Sequence, residues 1–216
     1  MKVISLQKFL KIITAIFFVV GISLVGYSLF QIWYGNKAVE DSLNTAKEIV
    51  KQAKGIEPAN MSPEELMRLK KEAESITFDN EEIIGVLSVP KLEKELPIVE
   101  GTDEDDLGKG VGHYTGTALP LQNSQILLSG HRDTVFRGFD KLKEGDTFVV
   151  HMPYGSFEYE IFKIEIVPAD DTTVIGRYDG EENLTVTTCY PFHYIGNAPD
   201  RAVFFAKPTF DTTALN

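Results

Sequence analysis

The pattern of apolar and polar positions changes character twice along the chain. Residues 12–36, IITAIFFVVGISLVGYSLFQIWYGN, hold no charged side chain, and Lys2, Lys8 and Lys11 stand ahead of them. About 20 apolar residues in helical conformation span a bilayer, so this stretch predicts a transmembrane helix. A cleaved signal peptide has a shorter apolar region and a small-residue cleavage site, and neither is visible here. The segment therefore reads as a retained signal anchor, in contact with the membrane over residues 12–34. Positive charge on its leading side predicts a cytoplasmic amino terminus and an extracytoplasmic remainder, with Trp33 and Tyr34 at the outer interface.

Beyond the anchor the pattern becomes polar and helical. Val39, Leu43, Ala46, Ile49, Val50 and Ala53 recur at spacings of three and four, and Gly55 with Pro58 ends the run. Ser62, Pro63, Glu64 and Glu65 then supply a cap, a proline at the first helical position and acidic residues at the positive end of the helix dipole. Two connector helices follow from this, forming a stalk or a packed appendage.

From Ile83 the period shortens to that of strands. IIGVLSVP, LPIVEG, QILLSG, DTFVVHM, FEYEIFKIEIVPA, NLTVTTCY and RAVFFAKP are rich in β-branched and aromatic residues and are separated by glycine, proline and aspartate. Their number and length predict an all-β core, a closed or nearly closed barrel of seven or eight strands. The chain divides into residues 1–36 as cytoplasmic tail and signal anchor, 37–80 as helical connector, and 81–216 as β-barrel domain. Gly108, Gly110 and Gly112 are followed by HYTGTALP rather than by a helix, so they form no nucleotide-binding loop.

Composition narrows the function. A net charge of -11 argues against nucleic acid as a partner. One cysteine, Cys189, excludes an intrachain disulfide and a cysteine-rich zinc site. It is either a small buried hydrophobe or a reactive thiol. Strand alternation in TVTTC puts Thr185, Thr187 and Cys189 on one face and Val186 and Thr188 on the other. The strand ends at Tyr190 and Pro191, so the thiol sits at a rim rather than among mid-strand aliphatic residues. Only the thiolate attacks a carbonyl well. With ordinary pKa values, thiolate and imidazolium coexist in about 1% of molecules at pH 7, so a neighbouring histidine would have to assist. Of His113, His131, His151 and His193, His131 follows an apolar strand and a glycine, which places it at a strand end like the cysteine. A developing oxyanion also needs a donor, and Arg201 opens the strand that returns from Cys189.

These residues together resemble a family. TVTTC is similar to the T-L-x-T-C signature of the sortases, with Val186 at the usual leucine or isoleucine. SGHRDTVF resembles their histidine segment and DRAVFFA their arginine strand. The likeness extends over residues 82–207. It implies an eight-stranded sortase-type barrel and a cysteine transpeptidase without cofactor. Cys189 would attack an LPxTG-like sorting signal after threonine, His131 would protonate the leaving amine, and Arg201 would hold the oxyanion. Thr187 and Thr188, beside the cysteine, are the candidate substrate-binding residues. The partners implied are surface proteins bearing the sorting signal and an amine of a peptidoglycan precursor, joined by a monomeric enzyme. GHRDTVF and the short carboxyl end look most like the class D sortases of Gram-positive spore formers, and His113 matches a structural position.

The acidic runs at 103–106 and 170–171 could cluster around calcium but read more simply as solvated loop charge, so no metal is assigned. Specificity is expected in the loop of residues 169–183. Two other readings of the residues are a membrane-anchored barrel that binds a cell-wall component around a buried cysteine, and a hydrolytic cysteine peptidase.

Overall fold

The structure, a computed structural model, describes residues 6–51, 61–176, 181–194 and 196–211. The chain divides into two compact units, residues 1–38 and 39–216. The described part of the first belongs to one helix, α1 (Leu6–Val50), which continues into the second. Within the first unit its apolar side chains are exposed around the helix, Phe17 and Phe18 at 73% and 71%. This helix is long and apolar enough to cross a membrane. At 1.5 Å per residue, residues 12–36 alone extend about 37 Å, more than the hydrocarbon thickness of a bilayer.

Anchor and first connector helix are therefore a single element rather than two. Gly35 and Asn36 do not interrupt it, since a glycine inside a helix costs only about 1 kcal/mol and neither residue blocks a backbone hydrogen bond as proline would. The expected stop at Gly55 and Pro58 lies outside the described residues.

In the second unit the helical segments pack on the barrel. Ala46 is fully buried, Val39 lies against the core, and Lys47 pairs with Glu95 at 2.5 Å. Helix α2 (Pro63–Ser75) opens on a capping box in which the Ser62 hydroxyl accepts from Glu65 N while the Glu65 carboxylate accepts from Ser62 N. It buries Leu66, Leu69 and Ala73, the two leucines contributing about 1.5–3 kcal/mol each.

Eight strands close the barrel: β1 (Ile83–Val89), β2 (Lys94–Glu100), β3 (Val111–His113), β4 (Gln125–Gly130), β5 (Thr147–Met152), β6 (Gly155–Pro168), β7 (Asn183–Tyr190) and β8 (Asp200–Pro208). Their order around it is β1-β2-β3-β4-β7-β8-β6-β5, with β5 returning to β1. Seven correspond to the runs in the sequence. The eighth, β3, has only three residues, and a short helix, α3 (Glu104–Lys109), precedes it. It lies where a side chain on Gly112 would collide with Gly101 O. A glycine needed for close approach is also what hides such a strand from a β-propensity reading.

Side chains alternate through the wall. On β7 and β8, Leu184, Val186, Ala202, Phe204 and Ala206 enter the main core, whereas Val203 and Phe205 join Val167 and Val174 in a separate outer patch. Phe139 lies within a buried aromatic cluster, its ring 4.2 Å from Phe136, 5.8 Å from Phe204 and 6.1 Å from Phe148. That cluster ties the segment after β4 to the barrel interior.

Candidate active site

Two strand pairings bring the site together. Parallel pairing of β4 with β7 sets Gly130 against Thr188, which carries the next residue, His131, to the level of Cys189. Antiparallel pairing of β7 with β8 sets Cys189 directly against Arg201. Three segments remote in sequence thus end at one rim. His131, Cys189 and Arg201 line a single cavity of about 370 Å³, together with Arg132, Asp133, Thr134 and residues 196–198. The thiol and the imidazole are both partly exposed, as groups that must meet a substrate have to be.

The packing behind His131 explains its position. Val135, Phe136 and Phe139 sink into the core, and Phe136 N donates to His131 O at 3.1 Å. A side chain at Gly130 would meet the Phe136 ring at 2.6 Å, so only glycine lets β4 pass that close. On β8, Arg201 Nη1 donates to Asp200 O at 3.0 Å and to Ala198 O at 3.4 Å. Both bonds use the same nitrogen, which leaves the rest of the planar fork for an acceptor in the cavity.

The remaining histidines are elsewhere. His113 is buried, with Nδ1 2.6 Å from a Glu100 carboxylate oxygen and Nε2 donating to Ala118 O at 3.0 Å, and it braces β3 against β2. His151 lies between Ser88 and Ser156 at 2.9 and 2.7 Å, and burial holds its pKa below the ordinary value against the opposing pull of Glu95. His193 is exposed, 3.6 Å from Asp140.

The two threonines divide. Thr187 is partly exposed and shares the face of Cys189, although it does not line the cavity. Thr188 does not fit the substrate-binding reading: it is buried, and its hydroxyl donates to Gly130 O at 2.7 Å. Strand alternation turns it inward, where an unpaired hydroxyl would be costly, so it ties β7 to β4 instead. The acidic run at 103–106 caps α3 through Asp103 and Asp106 and borders a different cavity, one that residues 170 and 171 do not reach. Among the described residues no three His, Cys, Asp or Glu side chains converge as a metal would require. Residues 177–180 of the expected specificity loop lie outside the described residues.

Two residues had no role in the sequence reading. Arg132 is buried and donates Nη1 to Pro191 O at 2.8 Å and Nη2 to Gly196 O at 3.3 Å. Its place beside the histidine was the only signal. Glu182, just before β7, is buried with Tyr159 OH donating to it at 2.8 Å and Leu121 N at 2.8 Å. Burial raises its pKa to about 7.

Comparison with known proteins agrees with this geometry. The sortase-domain family profile matches residues 87–209. Sortase D of Bacillus subtilis (strain 168) is 42% identical over 197 residues, covering 91% of this chain and 98% of that protein. Among solved structures, a sortase D5 transpeptidase of Clostridium perfringens superposes with a TM-score of 0.61 at 27% identity, over 80% of this chain and 98% of that one. Sortase C of the same organism, determined in an intermolecular complex with the C-terminal cell wall sorting signal motif, superposes with a TM-score of 0.60 at 26% identity, over 77% and 91%.

Proposed function

We propose, on the premise that this chain belongs to the sortase family of cysteine transpeptidases, that it cleaves an LPxTG-like sorting signal after threonine and transfers the acyl group to a peptidoglycan-precursor amine. The observation that carries this reading is the convergence of Cys189, His131 and Arg201 on one cavity from three strand ends.

The Cys189 thiolate attacks the threonine carbonyl carbon, and the electron pair of the C=O bond moves to oxygen. Arg201, paired across the strands with the cysteine, donates to that oxyanion; one such donor contributes about 2.7–4 kcal/mol to the transition state. His131 gives a proton to the amine nitrogen as the C–N bond breaks, leaving a thioester on Cys189. The second amine then attacks the thioester, loses a proton to His131 and expels the thiolate, so an amide forms and the enzyme is restored. Thr187, partly exposed on the same face as the cysteine, is the one of the two threonines left accessible to such a peptide. One chain supplies all three groups, so a monomer suffices. No metal or cofactor takes part in these steps.

Sortase C of Clostridium perfringens in complex with a sorting signal motif supports the substrate class. Lysines at 8 and 11 leading the apolar span support a cytoplasmic amino terminus with the barrel on the wall side.

The test is mass spectrometry of the purified chain with an LPxTG-type peptide. Without amine, a thioester adduct should accumulate on Cys189, and Cys189→Ala should lose it together with all turnover. Adding a peptidoglycan-type amine should give the amide product. Free acid as the sole product would make the chain a hydrolase, and an adduct on another residue would end the assignment.

A further inference from the structure

Arg132 joins two of the loops that line the cavity, its own and the one between Cys189 and Arg201. It directly follows His131, borders the same cavity and is only 8% exposed. Nη1 and Nη2 reach Pro191 O at 2.8 Å and Gly196 O at 3.3 Å, both in the loop between Cys189 and Arg201. Nε points to the carboxylate of Asp133 at 3.3 Å, which balances the charge of the nearly buried guanidinium. The same loop supplies Ala198 O, the carbonyl that accepts from Arg201 Nη1.

We infer that Arg132 is a positioning residue for the transpeptidation, fixing the loop after Cys189 so that Arg201 presents its fork to the oxyanion. Two carbonyls five residues apart are met by the two terminal nitrogens of one planar guanidinium, a fork that neither lysine nor glutamine carries. Among the described residues the loop is otherwise held near its ends, by Ala169 N donating to Pro199 O at 2.9 Å, and by an exposed pairing of His193 with Asp140. Phe192 packs on the core, but His193, Tyr194, Gly196 and Asn197 are exposed. Losing the clamp therefore loosens one cavity wall while the barrel stays intact.

The inference rests on the active-site reading above, and the experiment separates the two. The full chain is compared as parent, Arg132→Gln, Arg201→Lys and the double variant. The readouts are thioester formation from an LPxTG-type peptide and alkylation of Cys189 by iodoacetamide, a small reagent that needs no oxyanion donor. Arg132→Gln should slow thioester formation by about 10- to 100-fold, the usual consequence of losing hydrogen bonds from a charged donor. Alkylation should stay within about twofold of the parent, because the thiol itself is untouched. The double variant should be no more than about threefold slower than Arg201→Lys alone, since both changes disable one group.

Thioester formation by Arg132→Gln within threefold of the parent, or losses that multiply in the double variant, would overturn the positioning role and leave the catalytic assignment standing. Parental activity in Arg201→Lys would sink both, because Arg132 would then have no oxyanion donor to hold. If Arg132→Gln does not fold, Arg132→Lys is read by the same criteria, as it keeps the charge and stem but not the fork.

Discussion

The two ends of β7 carry polar groups into opposite circumstances. At the start of the strand, Glu182 is buried and accepts from Tyr159 OH and from the backbone N–H of Leu121 and Asn123. Those two backbone groups belong to a turn in which Leu121 and Asn123 hold positive φ, 74° and 54°. The carboxylate thus secures a conformation that leucine rarely adopts. At the far end, Cys189 faces a cavity shared with His131 and Arg201. Polar groups at the first end are matched by protein partners, and those at the second are kept for substrate. Eight residues of paired strand join them, so a rigid, satisfied anchor holds a reactive rim in register with β4 and β8.

The comparison is broken most severely at the rim. Arg201→Lys should reduce turnover by about 100- to 1000-fold with circular dichroism and thermal midpoint close to those of the parent. A folded Arg201→Lys enzyme keeping a tenth of parental turnover would move Arg201 from chemistry to the frame.

The anchor end is expected to answer to pH. The Glu182 pKa rises from 4.5 to about 7 on folding, so the native state holds a proton that the unfolded chain releases between those values. The resulting stabilisation is complete below about pH 4.5 and is lost as pH climbs through about 7, amounting at most to about 3 kcal/mol. Urea midpoints measured from pH 5 to 8 should therefore fall more steeply for the parent than for Glu182→Gln. Parallel slopes would show that the carboxyl is charged throughout and held by its donors.

Thr188 lies between the ends in effect as in space. Thr188→Val keeps the shape but removes the bond to Gly130 O, and should cost about 1 kcal/mol of stability by thermal or urea unfolding. Thr187→Val, one residue away on the outer face, should change stability by less than about 0.5 kcal/mol. Its influence should be confined to the KM for peptide. A reversed pattern would mean that the two faces of β7 are exchanged.

Much of this was legible in the chain because it depends on local spacing. Absence of charge over residues 12–36 marks the apolar span, period-two runs mark seven strands, and each of Cys189, His131 and Arg201 stands at the end of such a run. A short apolar alternation carries its own evidence, since neighbouring side chains necessarily point to opposite faces. β3 escaped that reading because glycine, chosen for close approach to Gly101, has no strand preference of its own. Thr188 shows the limit from the other side: alternation put it opposite Cys189, but only the parallel pairing of β4 with β7 supplied the carbonyl that claims its hydroxyl. The Arg132 clamp and the Glu182 anchor are of the same kind. Their partners lie 59 to 64 residues away in one case and 23 to 61 in the other. Sequence determines which groups can donate, accept or attack, and which face of an element they occupy. Which of them meet is decided only when the barrel closes, because the loop-closure entropy of such distant contacts is met by packing of the whole core rather than by any local preference.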